Sequence, residues 1–253
     1  MKVFRMMNVK VFLMFGSLLL CTLGVQMTVC GQAQSESWQV LFQKAPSKEW
    51  IECGNAKLDP ENSKRLKTVE GNSVLVSTKR GEKDLRNLVS DDDYGDLEVH
   101  LEFMLSKGSN AGVKLQSLYE IQLYDSQSIE KPTALHSGGV YPRANKSPGR
   151  YVHIDEGTPP RVNAAMAPGV WQSLHIRFRA PNVDSAGNKL SNARFELVEL
   201  NDQVVQKDVE VRWPTGSDWV LPESSTGRLY LQGDHGPVAY RNVRVRPLRA
   251  IDE

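Results

Sequence analysis

Along most of the chain, apolar residues return at every second position in short runs separated by Gly, Pro, Asn and Asp. In GDLEVHLEFML (95–105), Leu97, Val99, Leu101 and Phe103 form one set, and Glu98, His100, Glu102 and Met104 form the other. In WQSLHIRFRA (171–180), Leu174, Ile176 and Phe178 alternate with His175, Arg177 and Arg179, and in AGVKLQ (111–116) Val113 and Leu115 alternate with Lys114 and Gln116. A period of two marks strands buried on one face, and no segment sustains the 3.6-residue period of an amphipathic helix. Further runs at VLF (40–42), RLKTVEGNSVLVST (65–78), LYEIQLYD (118–125), ARFELVEL (193–200), QVVQKDVEV (203–211), RLYLQ (228–232) and VAYRNVRVRPL (238–248) extend the series. Gly71-Asn72 predicts a turn inside the second of these, and Asn201-Asp202 predicts a tight hairpin. About ten strands at this spacing predict an all-β fold, a two-sheet antiparallel sandwich of the jelly-roll type. The Pro- and Gly-rich interval 126–170 is too long for an ordinary turn and reads as a functional loop.

One run carries unusual outer positions. In YEIQLYD (119–125), Tyr119, Ile121 and Leu123 face the core, while Glu120, Gln122 and Tyr124 face outward, where water is expected. If neighbouring strands add Lys114, His175 and the arginines, one outer face gathers groups suited to a hydroxyl-rich ligand. Near the C-terminus, Gly233 and Gly236 bracket Asp234-His235, so a sharp bend presents an imidazole able to give or take protons near neutral pH. Arg241 follows and could steady a negative oxygen. The plainer alternatives are a solvated strand face, a turn-capping Asp and a water-facing His. Asp91 to Asp93 in SDDDYGDLE read as a solvated turn in preference to a calcium loop. Zinc spacings, a Gly-x-Ser-x-Gly elbow and a Gly-rich phosphate loop are missing from the sequence. NKS (145–147) is formally a glycosylation sequon.

Composition narrows the class. Lys2, Arg5 and Lys10 precede an apolar run from Val11 to about Val25, and Gly31 and Ala33 stand at −3 and −1 of a cleavage after Ala33. This reads as a signal peptide over 1–33, placing the chain in the periplasm or outside the cell with no membrane attachment after cleavage. An uncleaved anchor or a lipoprotein fits less well, and Met7 is an alternative start. Cleavage would leave a slightly acidic chain, without the basic surplus that nucleic-acid binding through phosphates needs. It would also leave Cys53 as the one thiol, so residues 34–253, read as one domain, must rest on a hydrophobic core.

From Trp38 to Leu248 the chain resembles the 3-keto-disaccharide hydrolase family, also described as 3-keto-glucoside lyase and 2-hydroxy-glucal hydratase domains. The motifs are WQVLF, YGDLEVHLEF, SNAGVKLQSLYEIQLYDS, GGVYP, the PPRVNAAMAPGVWQSLHIRFRAP run and LQGDHGPVAYRNVRVRPL. The resemblance implies a concanavalin-like jelly roll and a 3-keto-glycoside substrate cleaved by C2-proton elimination followed by hydration. Such chemistry needs a base and donors to the enolate and leaving oxygens, and no carboxylate pair at a fixed separation. Glu120 or His235 is the candidate base and acid. Gln122, Lys114 and Arg241 are candidate donors, Asp125 and Asp234 would orient neighbours or bind hydroxyls, and Tyr124, Tyr141 and Trp171 would stack on a sugar ring. A divalent metal on the enolate oxygen is compatible with this chemistry, although nothing in the sequence selects one. The alternative functions are a non-catalytic carbohydrate-binding sandwich and a surface structural protein.

Overall fold

In the computed structural model of the protein, which describes residues 37–77 and 86–248, the alternating runs pair into two antiparallel sheets. The signal peptide read at 1–33 lies outside the described residues. Among those residues, no helix is long and apolar enough to cross a membrane.

In chain order the first strands are β1 (Gln39–Val40), β2 (Trp50–Asp59), β3 (Asn62–Ser77), β4 (Leu88–Tyr94) and β5 (Leu97–Leu105). There follow β6 (Asn110–Leu115), β7 (Tyr119–Tyr124), β8 (Ala144–Ser147), β9 (Arg150–His153) and β10 (Gln172–Arg179). The remainder are β11 (Asn182–Val183), β12 (Lys189–Ser191), β13 (Ala193–Leu200), β14 (Gln203–Val211), β15 (Gly227–Leu231) and β16 (Val238–Pro247). The larger sheet has the order β14-β13-β10-β5-β16-β3-β2, with β1 also on β16; the smaller has the order β4-β15-β6-β7. Pairs β11–β12 and β8–β9 are separate ribbons.

The inward sets predicted from alternation meet between these sheets. Leu97, Val99, Leu101, Phe103, Leu174, Ile176 and Phe178 of the larger sheet share one buried cluster with Val113, Leu115, Tyr119, Ile121, Leu123, Leu229 and Leu231 of the smaller. Burial of this apolar surface is the main force holding the sheets together. The predicted hairpin at Asn201-Asp202 forms, with both residues at positive φ (52° and 61°), the geometry a two-residue loop between twisted strands requires.

Gly71-Asn72 does not turn the chain. Strand β3 runs through it, and the register with β2 slips between Cys53 and Asn55, so residues 70–73 bulge out. Two glycines permit this. Gly71 has φ of +137°, and a Cβ on it would lie 2.4 Å from the Gly54 Cα. Gly71→Ala is therefore expected to lower the unfolding free energy by at least about 1 kcal/mol, read by urea denaturation. Asp91–Asp93 also depart from the predicted turn: they lie on the outer strand β4, exposed along its solvent edge. An edge strand needs only one buried flank, and Leu88 and Ser90 supply it.

The outward sets do not share one face. Lys114, Glu120 and Gln122 belong to the smaller sheet, whereas Glu98, His100, Glu102, His175, Arg177 and Arg179 line the opposite side of the molecule on the larger sheet. There carboxylates and cations pair: Glu98 accepts from Arg246 at 2.6 Å and contacts His175 at 2.8 Å, and Glu196 accepts from Arg179 at 2.5 Å. A small second cluster of Cys53, Ala56, Leu66, Val74, Val76, Met104 and Ala239 packs β2 and β3 onto part of that side, which is why outward Met104 is buried.

Candidate active site

Over β7 the outer face of the smaller sheet is not open to water. Glu120 and Gln122, expected to be solvated, are 5% and 2% exposed. Two neighbours enclose them. Residues 138–141 add a short strand beside β7: Gly138 N donates to Gln122 O, Gln122 N to Gly139 O and Tyr141 N to Glu120 O at 2.9–3.1 Å. The segment around Thr215 closes over the start of β7, where the Thr215 hydroxyl accepts from Glu120 N at 3.0 Å and donates to Leu118 O at 2.9 Å.

Register then fixes which groups meet. Lys114 of β6 stands opposite Glu120 of β7 and opposite Tyr230 of β15, so all three share the outer face. The Lys114 ammonium lies 3.8 Å from Glu120 Oε2, 2.7 Å from Asp218 Oδ2 and 5.5 Å from the Tyr230 ring centroid. Asp218 comes from a single 3-10 turn, Ser217–Val220, held by Asp218 N donating to Thr215 O. Gly112 makes the room. A Cβ there would meet Glu120 Oε1 at 2.2 Å, so the carboxyl rests on the bare backbone of β6.

Burial in a medium that solvates charge poorly pushes the Glu120 carboxyl above its ordinary pKa, and the Lys114 charge offsets only part of that rise. Burial also works against the Lys114 ammonium, but the charges of Glu120 and Asp218 outweigh it and hold its pKa above the ordinary value. Burial likewise keeps the Tyr141 and Tyr230 phenols protonated. The result is an enclosed, charged cation beside a carboxyl that is a stronger base than a solvated one.

The Gly-bracketed bend reaches the same face. Asn110, at the start of β6, bridges to His235, and the charges of Asp234 and His235 both act on Glu120. Asp234 Oδ1 lies 2.7 Å from His235 Nδ1, and Gln232 Nε2 lies 3.0 Å from the same nitrogen. Both contacts occupy Nδ1, which leaves Nε2 as the ring nitrogen free of them and available to a ligand. Burial raises the Asp234 carboxyl, yet the hydrogen bond and charge of His235 outweigh it and keep it below the ordinary range.

The other predicted residues divide. Tyr141 shares the face: its hydroxyl is 3.2 Å from His153 Nε2 on β9, and that ring also contacts Tyr151 edge-on at 5.6 Å. Gln122 is present, but its amide donates to Asn110 Oδ1 at 3.1 Å and to Leu135 O at 3.4 Å, so it braces the site from within. Asp125 accepts from Gly108 N at 2.9 Å and serves the β5–β6 turn. Tyr124 sits edge-on to His136 at 5.9 Å. Arg241 and Trp171 are on the far side of the molecule, where the guanidinium stacks 4.1 Å over the indole and pairs with Glu102 at 2.6 Å. Parity puts Arg241 there, since Tyr240, one residue before it, faces the core, and Trp171 lies just ahead of β10 on the same sheet.

Several residues of this face went unread in the sequence. Gly112 carried a signal, an isolated glycine within an alternating run, which often marks a close approach. Tyr230 follows from parity within RLYLQ. Asp218 and Thr215 sit on an irregular segment and its 3-10 turn, and Tyr151 and His153 on β9, which is exposed along its length, so neither place carries a periodic signal. Among the described residues, no group of three or more His, Cys, Asp or Glu side chains is placed to hold a metal ion.

The two-sheet sandwich carries a polar site on its smaller sheet, and the family match indicates a carbohydrate-active protein of the hydrolase and lyase kind. The chain belongs to the family of 3-keto-alpha-glucoside-1,2-lyase-like domains, whose model matches residues 35–246. Among solved structures it is similar to a candidate glycosyl hydrolase from Parabacteroides distasonis, with 21% identity, a TM-score of 0.55 and 84% of each chain covered. A second candidate glycosyl hydrolase from that organism is 20% identical with a TM-score of 0.48, covering 84% of this chain and 100% of the other. A variant of the alginate lyase Aly36B, solved with an alginate tetrasaccharide, is 15% identical with a TM-score of 0.40, covering 70% of this chain and 82% of the other. The first of these shares the sandwich fold. No curated protein matches the sequence.

Proposed function

We propose that the protein cleaves 3-keto-glycosides by elimination and hydration, after export from the cytoplasm, with Glu120 as the base. The supporting observation is the Glu120 carboxyl itself, buried over Gly112, 3.8 Å from the Lys114 ammonium and on one face with Asp234-His235. A ketone at C3 acidifies the C2 proton. Glu120 takes that proton, the C2–H electrons form the enolate, and Lys114 opposes the negative charge that develops on its oxygen. The enolate then expels the C1 substituent, and His235 delivers a proton to the departing oxygen. Water adds across the resulting C1–C2 double bond, with hydroxide to C1 and a proton back to C2, completing net hydrolysis. Each proton taken is returned, so neither oxidant nor reductant is needed.

Incubation with a 3-keto-glucoside and, separately, with its unoxidised parent tests this reading. The keto substrate should release its aglycone with transient absorbance of a conjugated enone, and the parent should not react. Failure to turn over several keto-glycosides would remove the proposal. Arg241→Ala and Trp171→Ala, on the far face, should leave kcat/KM within about twofold of wild type, as changes remote from a site generally do.

A further inference from the structure

Beside the Glu120 face lies a second hollow that the mechanism above does not use. It is an open cleft of about 220 Å³ lined by Tyr141, Arg143, Asp155, Thr158, Trp213 and Thr215, among others. Two of its walls are also walls of the candidate active site: Tyr141 N donates to Glu120 O at 3.1 Å, and Thr215 accepts from Glu120 N at 3.0 Å. One short segment joins the two places, with Trp213 in the cleft, Thr215 between them and Asp218 on Lys114.

The lining has the chemistry of a carbohydrate site. Trp213 is 42% exposed, unusual for an indole in a chain whose core is otherwise closed. It is held in place by cations around its ring, Lys189 at 4.8 Å, Arg212 at 5.7 Å and Arg143 at 5.8 Å from the centroid. An indole presented in this way offers its surface to the C–H patches of a pyranose. Around it stand planar polar groups that match vicinal hydroxyls: the Asp155 carboxylate, which accepts from Arg143 Nε at 2.7 Å and Arg143 N at 3.0 Å, and the guanidinium it orients. Charge is nearly balanced. Asp155 offsets Arg143, Glu223 offsets Lys189 at 2.7 Å, Arg194 offsets Glu210 at 3.2 Å, and exposed Arg212 and Glu156 remain with opposite signs. A neutral polyol fits this better than an acidic sugar or a phosphate.

We infer that this cleft is the subsite for the departing sugar ring, with Trp213 as its platform, and that the ring it takes is an uncharged one. The inference rests on the proposed reaction only for which ring leaves. The keto ring sits over Glu120, and the glycosidic oxygen falls between Glu120 and the cleft along the Tyr141–Thr215 wall.

The test compares two substrates of one chemistry, a 3-keto-disaccharide that releases glucose and a methyl 3-keto-glucoside that releases methanol. Trp213→Ala should lower kcat/KM on the disaccharide at least about tenfold, the scale of one lost apolar contact in a substrate pocket, while changing it less than about twofold on the methyl glycoside. Trp213→Phe, which keeps a ring, should restore most of the disaccharide activity. Equal losses on both substrates, or no loss on the disaccharide, would overturn the subsite. If wild type turns over neither substrate, the proposed reaction fails and the cleft is read by binding instead. An unoxidised neutral disaccharide titrated into wild type should then perturb the Trp213 indole signal and not bind Trp213→Ala. Absence of binding to wild type, or equal binding to both proteins, would end the inference.

Discussion

Glu120→Gln should lower kcat/KM on a 3-keto-glycoside on the order of 10³-fold, the range that loss of a positioned general base produces. The amide matches the carboxyl in size, so it fits the space over Gly112 and the sheet is preserved. Lys114 is not stranded by the change, because Asp218 still holds it at 2.7 Å. The variant should accordingly fold, and stability measured in parallel separates lost chemistry from lost structure. Activity within about tenfold of wild type would show that another group removes the proton.

The same residue fixes the expected pH dependence. Only the ionised carboxylate can act as base, and burial has moved its pKa above the ordinary carboxylate range. The acidic limb of the kcat/KM profile should therefore stand at higher pH than a solvated glutamate would give, and it should vanish from the residual activity of Glu120→Gln. Stability follows with the opposite sign. A carboxyl whose folded pKa is raised favours the folded state while it is protonated, and that advantage is lost as pH rises through the folded pKa. Glu120→Gln should thus gain thermal stability relative to wild type at pH values above the limb, and gain little in acid.

The alternating positions made the sandwich legible because each sheet is buried on one face, so a period of two is enforced along every central strand. The strict alternation of β10 is the clearest case. Where a strand has no single buried face, the signal fails. Strand β2 carries WIECGNAKLD, with an irregular burial pattern, and the sequence offered no prediction for it. Strand β4 is an edge with three acids toward solvent, which composition alone reads as a turn. In β7 the period was correct but the inference from it was half wrong: Glu120 and Gln122 do leave the core, and then they are enclosed by residues 138–141 and 215, which lie far apart in sequence.

The candidate site shows the same division. Parity and register bring Glu120 and Lys114 together, while Asp234, His235 and Tyr141 reach them from a bend and a segment that bridge to β6 and β7. Chemistry alone groups Arg241 and Trp171 with them, yet Arg241 belongs by parity to the outer side of the far sheet and Trp171 stacks against it there. Asp218 and Trp213 lie on a segment between β14 and β15 that has no period to read. Their contributions depend on how one 3-10 turn and its flank settle against β6 and β7, and only tertiary structure supplies that.

Gly112→Ala, a single methyl group in the middle of β6, should cost activity about 10²-fold while leaving the sandwich folded, since a displacement near 1 Å of a reacting group has that effect. The new Cβ would stand 2.2 Å from Glu120 Oε1 and 2.9 Å from its Cδ, closer than real atoms approach. What it meets is the end of a flexible side chain, so the carboxyl swings aside and the backbone ladder remains. Swung toward solvent, the carboxyl loses part of its desolvation, and the acidic limb of the kcat/KM profile should move down in pH, a change that a general loosening of the fold would not produce. A double-mutant cycle completes the argument: Gly112→Ala in a Glu120→Gln background should add almost nothing, because the methyl acts through a base already removed. Additive losses would mean that Gly112 serves the strand and not the carboxylate resting on it.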